Sequence, residues 1–335
     1  MPDTINDLGP LPVYEDIIGA RERLLNHAVR TPLLESERLN KDTGARIFIK
    51  PEIMQKTGAF KFRGAYNRVA IIDGQTRKNG VVAYSSGNHG QAVALSAKMF
   101  DVPAVIVMPK DAPQLKIDST RSHGAEIVFY DRQTDNRGAI AEAIALKRGL
   151  TLVRPYDDAQ IIAGQGTIGL EVADDLDELG LVGDCLVAPA GGGGLLAGTA
   201  LALSKRTPTM KVFAAEPSDF DDHRRSLAGG RRVSNAPAAP ASLADALMAE
   251  TPGEITFKMN RALLAGGYAA TDADIGHAMR VLFAHFKLIA EPAGATALAA
   301  ILSNRSDFEG KTVVAICSGG NVEADLFARI LNKEI

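Results

Sequence analysis

The sequence predicts an α/β protein of two lobes, built from mostly parallel sheets flanked by helices. Short β-branched runs recur along it, each followed by an Ala-rich, helix-like segment, and that alternation gives a parallel sheet covered on both faces. Polar or glycine-rich loops stand at the ends of these runs, where open α/β sheets bind their ligands. The chain has 335 residues, of which 46% are apolar and 23% charged, the profile of a soluble protein too long for one small domain.

Taken in order, RIFIK at 46–50 is the first clear strand. VVAY at 81–84, AVIVM at 104–108 and EIVFY at 126–130 follow as three compact strand–helix units, with GQAVALSAKMF as the helix after the first. They are expected to form a small lobe over 72–156. CLVAP at 185–189, KVFAA at 211–215 and TVVAI at 312–316, with the helical EPAGATALAAILSN between the last two, complete the pattern. These join the start of the chain in a large lobe of 1–71 and 157–335, with the active site in the cleft between lobes. GQGTIG at 164–169 has the form G-x-G-x-x-G. A dinucleotide site needs a strand just before it and an acid ending the next strand. DDAQIIA is a weak strand and no such acid follows, so a nicotinamide oxidoreductase is not expected.

Composition removes several function classes. The net charge is −3 with no long basic run, which favours neither nucleic acid nor an anionic membrane. No window approaches the ~18 apolar residues of a membrane span. The N-terminal stretch lacks the basic start and apolar run of a signal peptide. Cys185 and Cys317 sit in apolar runs and are too few for a disulfide framework, so a reducing, cytoplasmic location is expected.

Four loops carry candidate chemistry. In TGAFKFRG, Lys61 lies between Phe60 and Phe62 in a small, turn-prone segment. That is an odd place for a hydrated cation, and a suitable one for a lysine that must lose its proton and attack a carbonyl. Gly191, Gly192, Gly193 and Gly194 follow a strand and open a helix, so their unobstructed N–H groups and the helix dipole suit a phosphate. No P-loop lysine accompanies them. Ser85, Ser86, Asn88 and His89 sit at the start of another helix, where their donors suit a carboxylate or a phenolate. Glu216 and Asp222, hard oxygen ligands in a loop after a strand, suit Mg²⁺, Ca²⁺ or Mn²⁺.

Together KTGAFKFRGA, SSGNHGQA, AGQGTIGLE, GGGGLLAG, AAEP, EPAGA and SGGN resemble, in order and spacing, the serine/threonine dehydratase and serine racemase family. The resemblance runs from about Tyr14 to Ile330. It implies a fold type II enzyme, like the tryptophan synthase β subunit, that uses pyridoxal 5′-phosphate. Lys61 would form the Schiff base and take the substrate's Cα proton. Phe60 would pack beside the ring, Gly191 to Gly194 would hold the phosphate, Asn88 the phenolic oxygen and Ser318 the pyridine nitrogen. A neutral hydroxyl at that nitrogen makes the ring a weaker electron sink than an Asp partner would, which favours elimination. Ser85, Ser86, Asn88 and His89 would receive the substrate carboxylate, with Arg137 nearby. Ser86 is also the acid/base on the opposite face that racemisation requires. Glu216, Asp222 and the backbone carbonyl of Phe220 would hold a divalent cation.

The expected activity is therefore removal of water and ammonia from L-serine, L-threonine or 3-hydroxyaspartate to give a 2-keto acid. A serine or aspartate-type racemase on the same scaffold is the alternative, and a non-catalytic ligand-binding protein is a further rival. A homodimer is expected. The segment ADALMAETPGE at 244–254 departs from the racemase pattern, with Ala246 in place of glycine and Ala249 in place of serine. It leaves room for 3-hydroxyaspartate.

Overall fold

The computed structural model describes residues 10–85, 87–112, 114–236 and 239–335. Among the described residues ten strands fall in two sheets: β1 (Leu34–Glu35), β2 (Arg46–Pro51), β3 (Val81–Tyr84), β4 (Ala104–Pro109), β5 (Glu126–Tyr130), β6 (Thr151–Leu152), β7 (Cys185–Pro189), β8 (Lys211–Pro217), β9 (Gly266–Ala270) and β10 (Thr312–Cys317). The larger sheet runs β1-β2-β10-β7-β8-β9 and the smaller β5-β4-β3-β6. Every pairing is parallel except the edge pair β1–β2. All seven strands expected from β-branched runs form.

Burial on both faces explains the composition. The Pro292–Ser303 helix is buried from Pro292 to Leu302, so its alanines meet other elements all round. It packs in a core with Ile47, Val187, Ala215 and Val313 of the larger sheet. On the opposite face Leu186, Val212 and Ile316 meet the helices Ala159–Glu178 and Gly194–Arg206. The smaller sheet packs with the Asn88–Met99 helix and with Phe62, Ala65 and Val69 of the Lys61–Ala70 helix. That last helix lies between the two sheets.

GQGTIG lies inside the Ala159–Glu178 helix, preceded by that helix's own first residues rather than by a strand. Its glycines serve packing. A Cβ on Gly164 would lie 2.6 Å from Gly64 Cα, and one on Gly169 2.7 Å from the Thr199 carbonyl. From the other side, a Cβ on Gly198 would stand 2.2 Å from the Ile162 carbonyl. Backbone therefore touches backbone where this helix meets both the lysine helix and the helix after the glycine loop. Among the described residues no helix is long and apolar enough to cross a membrane.

Candidate active site

The topology sets three of the predicted loops side by side, because β2, β10 and β7 are neighbours in the larger sheet and point the same way. Beyond β2 the chain makes two short turns, with Thr57 and Gly58 at φ +62° and +70°. Ala59 bridges Gly319, and the Phe60 N–H donates to the Ser318 carbonyl at 3.0 Å. The helix then starts at Lys61. Arg63, two residues on, is buried and clamped by Glu52 (Nε to Oε2, 2.8 Å) and Glu171 (Nη1 to Oε1, 2.6 Å). Lys50 joins Glu171 and Asp175, both at 3.0 Å. The clamp fixes the rotation of the helix, and Lys61 lines a cavity.

Lys61 is partly accessible because it faces that cavity, yet the protein around its amine is dense. Nζ donates to the Pro155 carbonyl at 2.8 Å and lies 5.1 Å from the centre of the Phe60 ring. Burial pushes the ammonium down to about 8. On the order of a tenth of the amine is thus neutral near physiological pH, far more than for an ordinary lysine.

The cavity measures about 650 Å³, within the usual range for a small-molecule site. Gly191 to Gly194 form one wall. Gly193 has φ +91°, and a Cβ on it would fall 2.5 Å from His223 Nε2. A Cβ on Gly192 would enter the Tyr156 ring at 2.1 Å. Thr256 Oγ1 and Asn260 Nδ2 donate to the carbonyls of Gly192 and Gly193, at 2.6 and 3.3 Å. The cradle is fixed from behind and opens on the start of the Gly194–Arg206 helix. A phosphate fits it by size and charge.

Opposite stands the loop after β3. Ser85 lines the cavity and its Oγ accepts the Gly87 N–H at 3.1 Å. Ser86 lies outside the described residues. The buried His89 ring makes one contact, Nε2 to the Val153 carbonyl at 3.0 Å, and burial with the nearby Lys61 charge pushes it down to about 3. It is a neutral imidazole with Nε2–H committed. Asn88 donates to Glu291 Oε1 at 2.6 Å and accepts from Asn321 Nδ2 at 2.7 Å. Ser318, at the end of β10, and Phe60 also line the cavity. So does Arg137, which starts a helix and lies 5.7 Å from the Tyr84 ring centre.

Glu216, Asp222 and Phe220 come together elsewhere, behind the glycine wall. Glu216 ends β8 region and its two oxygens accept the N–H groups of His223 and Arg224, each at 2.8 Å. Asp222 Oδ1 accepts from Asn235 at 2.7 Å, while Oδ2 finds no partner among the described residues. Burial and the Glu216 charge push the Asp222 carboxyl up to about 7. Phe220 sits in the intervening turn. His223 Nδ1 lies 3.6 Å from Glu216 Oε1 and 3.7 Å from Asp222 Oδ2. Two buried carboxylates with an open oxygen and an unpartnered imidazole can accept a divalent cation.

Sequence reasoning missed several residues on the cavity wall or behind it. Glu291 and Asn321 lie inside quoted motifs, EPAGA and SGGN, but had no assigned role. Tyr156, and the Lys116–Asp245 pair that closes at 3.1 Å, had no local signal. His223 was passed over as part of an acidic loop.

The Lys61 shift carries a stability consequence for the cofactor-free protein. Between pH 8 and the ordinary 10.5, the unfolded chain holds a proton that the native amine lacks, so stability rises with pH there. Below pH 8 the folded protein bears the full cost of a buried ammonium. Lys61→Met should therefore be more stable than the parent at pH 7, with the advantage shrinking as pH climbs from 8 toward 10. Denaturant unfolding at pH 7, 9 and 10 measures it, and a pH-independent difference would contradict the buried charge.

The profile of the family described as "pyridoxal-phosphate dependent enzyme" matches residues 24–319. The L-threo-3-hydroxyaspartate ammonia-lyase of a Pseudomonas species is 41% identical over 318 residues, covering 95% of this chain and 98% of the relative. The L-threonine ammonia-lyase of Thermotoga maritima is 41% identical over 321 residues, 95% of this chain and 78% of that protein. The solved structure of maize serine racemase is 33% identical and superimposes with a TM-score of 0.89 over 97% of this chain and 98% of that one.

Proposed function

The chain belongs to the pyridoxal-phosphate dependent enzyme family, and on that premise we propose that it is an ammonia-lyase that removes water and ammonia from a β-hydroxy amino acid. One observation carries the reading: a lysine amine lowered to about 8 shares a cavity with a glycine cradle open to an anion. Pyridoxal 5′-phosphate, when bound, supplies the conjugated system that accepts electrons from the substrate's Cα. Lys61 would anchor it and take the Cα proton as a neutral amine. Gly191 to Gly194 would hold the phosphate, Phe60 would pack beside the ring, Asn88 would offer an N–H to the phenolic oxygen, and Ser318 would offer the pyridine nitrogen a neutral hydroxyl. Ser85, Ser86 and Asn88 receive the substrate carboxylate. His89 supports that loop through its bond to Val153 and is no base, since its donor is committed and its ring stays neutral.

The wall charges favour a dicarboxylic substrate, 3-hydroxyaspartate, over serine or threonine. Lys116 is matched by Asp245 and Arg132 by Asp111, at 3.1 and 2.7 Å. Among the described residues, Arg137 has no carboxylate partner and meets only the Tyr84 ring. A second substrate carboxylate would give it one. With pyridoxal phosphate present, L-threo-3-hydroxyaspartate should yield keto acid and ammonia, and Lys61→Ala should lose that activity by at least ~10³-fold. Arg137→Gln should raise KM for hydroxyaspartate about tenfold more than for serine, the ~1.4 kcal/mol within reach of one charge-assisted pair. Accumulation of a D-amino acid without keto acid would make the protein a racemase instead, and no product from any of the three substrates would sink the lyase reading.

The proposal includes a divalent cation, Mg²⁺, Ca²⁺ or Mn²⁺, at Glu216, Asp222 and the Phe220 carbonyl. His223 stands beside it with its Nε2 end against Gly193, so the ion would stiffen the cradle from behind. Chelator should lower the melting temperature, and added cation should restore it by an amount that grows with concentration. Glu216→Gln with Asp222→Asn should abolish that response. A parent protein indifferent to chelator would reduce the cluster to a buried acidic corner.

A further inference from the structure

The EPAGA segment contributes a carboxyl group that the reading above leaves unused. Glu291 stands on the cavity wall at the start of the Pro292–Ser303 helix, with 3% of its surface exposed. Its Oε1 accepts the Asn88 amide at 2.6 Å, and its own N–H donates to the Gly319 carbonyl at 3.1 Å. At the other end of the same amide, Asn88 Oδ1 accepts from Asn321 Nδ2 at 2.7 Å. Asn321 Nδ2 in turn donates to the Thr57 carbonyl at 2.8 Å, in the loop that leads to Lys61. Turning the Asn88 amide over would set nitrogen against nitrogen at Asn321 and oxygen against oxygen at Glu291. Asn88 Nδ2 carries two hydrogens; Glu291 takes one, and one is left for a group in the cavity. The carboxyl is also pressed against the backbone: a Cβ on Gly319 would fall 2.1 Å from Glu291 Oε1.

We infer that Glu291 is a positioning residue whose carboxyl, according to whether it holds a proton, sets how the Asn88 carboxamide presents its free hydrogen to the phenolic oxygen of pyridoxal phosphate. The inference rests on the cofactor reading above. Burial pushes Glu291 up to about 7, in the range where such a group switches. The charges that face it are Lys116, from the Gln114–Ser122 helix, which favours ionisation, and Asp245, from the Asp245–Leu247 turn, which opposes it. From β10 it faces Cys317, whose thiol burial holds above its ordinary range and so neutral. His89, beside Asn88, is neutral as well. Above pH 7 the ionised carboxylate binds the Asn88 amide more strongly and puts a negative charge one amide away from the phenolic oxygen. Below it, that charge is gone and the hydrogen bond weakens.

The test compares holoenzyme spectra of the parent, Glu291→Gln and Glu291→Ala between pH 5.5 and 8.5, with dissociation constants for pyridoxal phosphate. The parent's visible band should change with a midpoint near 7. Glu291→Gln keeps an acceptor for Asn88 but cannot titrate, so it should retain the band and lose that transition. Glu291→Ala should bind the cofactor at least tenfold more weakly; should it fail to fold, the glutamine variant decides alone. A glutamine variant that titrates like the parent overturns the inference, as does an alanine variant that binds as tightly as the parent. Absence of any band in the parent overturns the cofactor reading, and the inference with it.

Discussion

The contact on which the rest depends is the glycine seam along the Ala159–Glu178 helix. Ordinary helix pairs lie ~8–10 Å apart, separated by side chains. Here Gly64 and Gly198 meet the backbone of that helix from opposite sides, at distances that leave no room for a methyl group. The seam thus sets how far Lys61, three residues before Gly64, stands from Gly194, four residues before Gly198. A cofactor spanning lysine and cradle tolerates errors of roughly half an ångström, and backbone contact is stiffer than side-chain packing. The Arg63–Glu52–Glu171 clamp adds rotation to the fixed separation. Such buried ion clusters gain little net stability once desolvation is counted. In this protein their use is to hold one face of the helix toward the cavity.

Electrostatics within the cavity follow from the same burial. Desolvation pushes Lys61 down, His89 down and Glu291 up, each toward its neutral form. The shifts thin the fixed charge on this wall near neutral pH and leave His89 neutral. Anions are drawn by the start of the Gly194–Arg206 helix and by the guanidinium of Arg137, which has no carboxylate partner among the described residues. A phosphate and a carboxylate would thus meet different walls of the same cavity.

Much of this was legible in the sequence, for local reasons. Seven strands were readable because each is a short apolar, mostly β-branched run ended by glycine, proline or a polar loop. The three strands that were not are weak by construction. β1 and β6 have two residues each, and β9, GGYAA, has the composition of a loop and forms because β8 pairs with it. GQGTIG did not meet the nucleotide pattern, and its use in the fold, close helix approach, depends on partners 100 residues earlier and 30 later. Lysine, serine loop and glycine loop were found because each motif is complete in itself. Glu291, Lys116, Asp245 and Tyr156 join the site only through topology. A single sequence contains no sign that Asn88 and Glu291, 203 positions apart, share a hydrogen.

In the proposed function Lys61 is the residue to which the cofactor is joined. Reduction of the purified, cofactor-loaded protein with borohydride, followed by peptide mass mapping, tests this most directly. A phosphopyridoxyl group is expected on the peptide that carries Lys61 and on no other lysine. A label on Lys116 or a surface lysine, or a protein that takes up no label after incubation with pyridoxal phosphate, would contradict it.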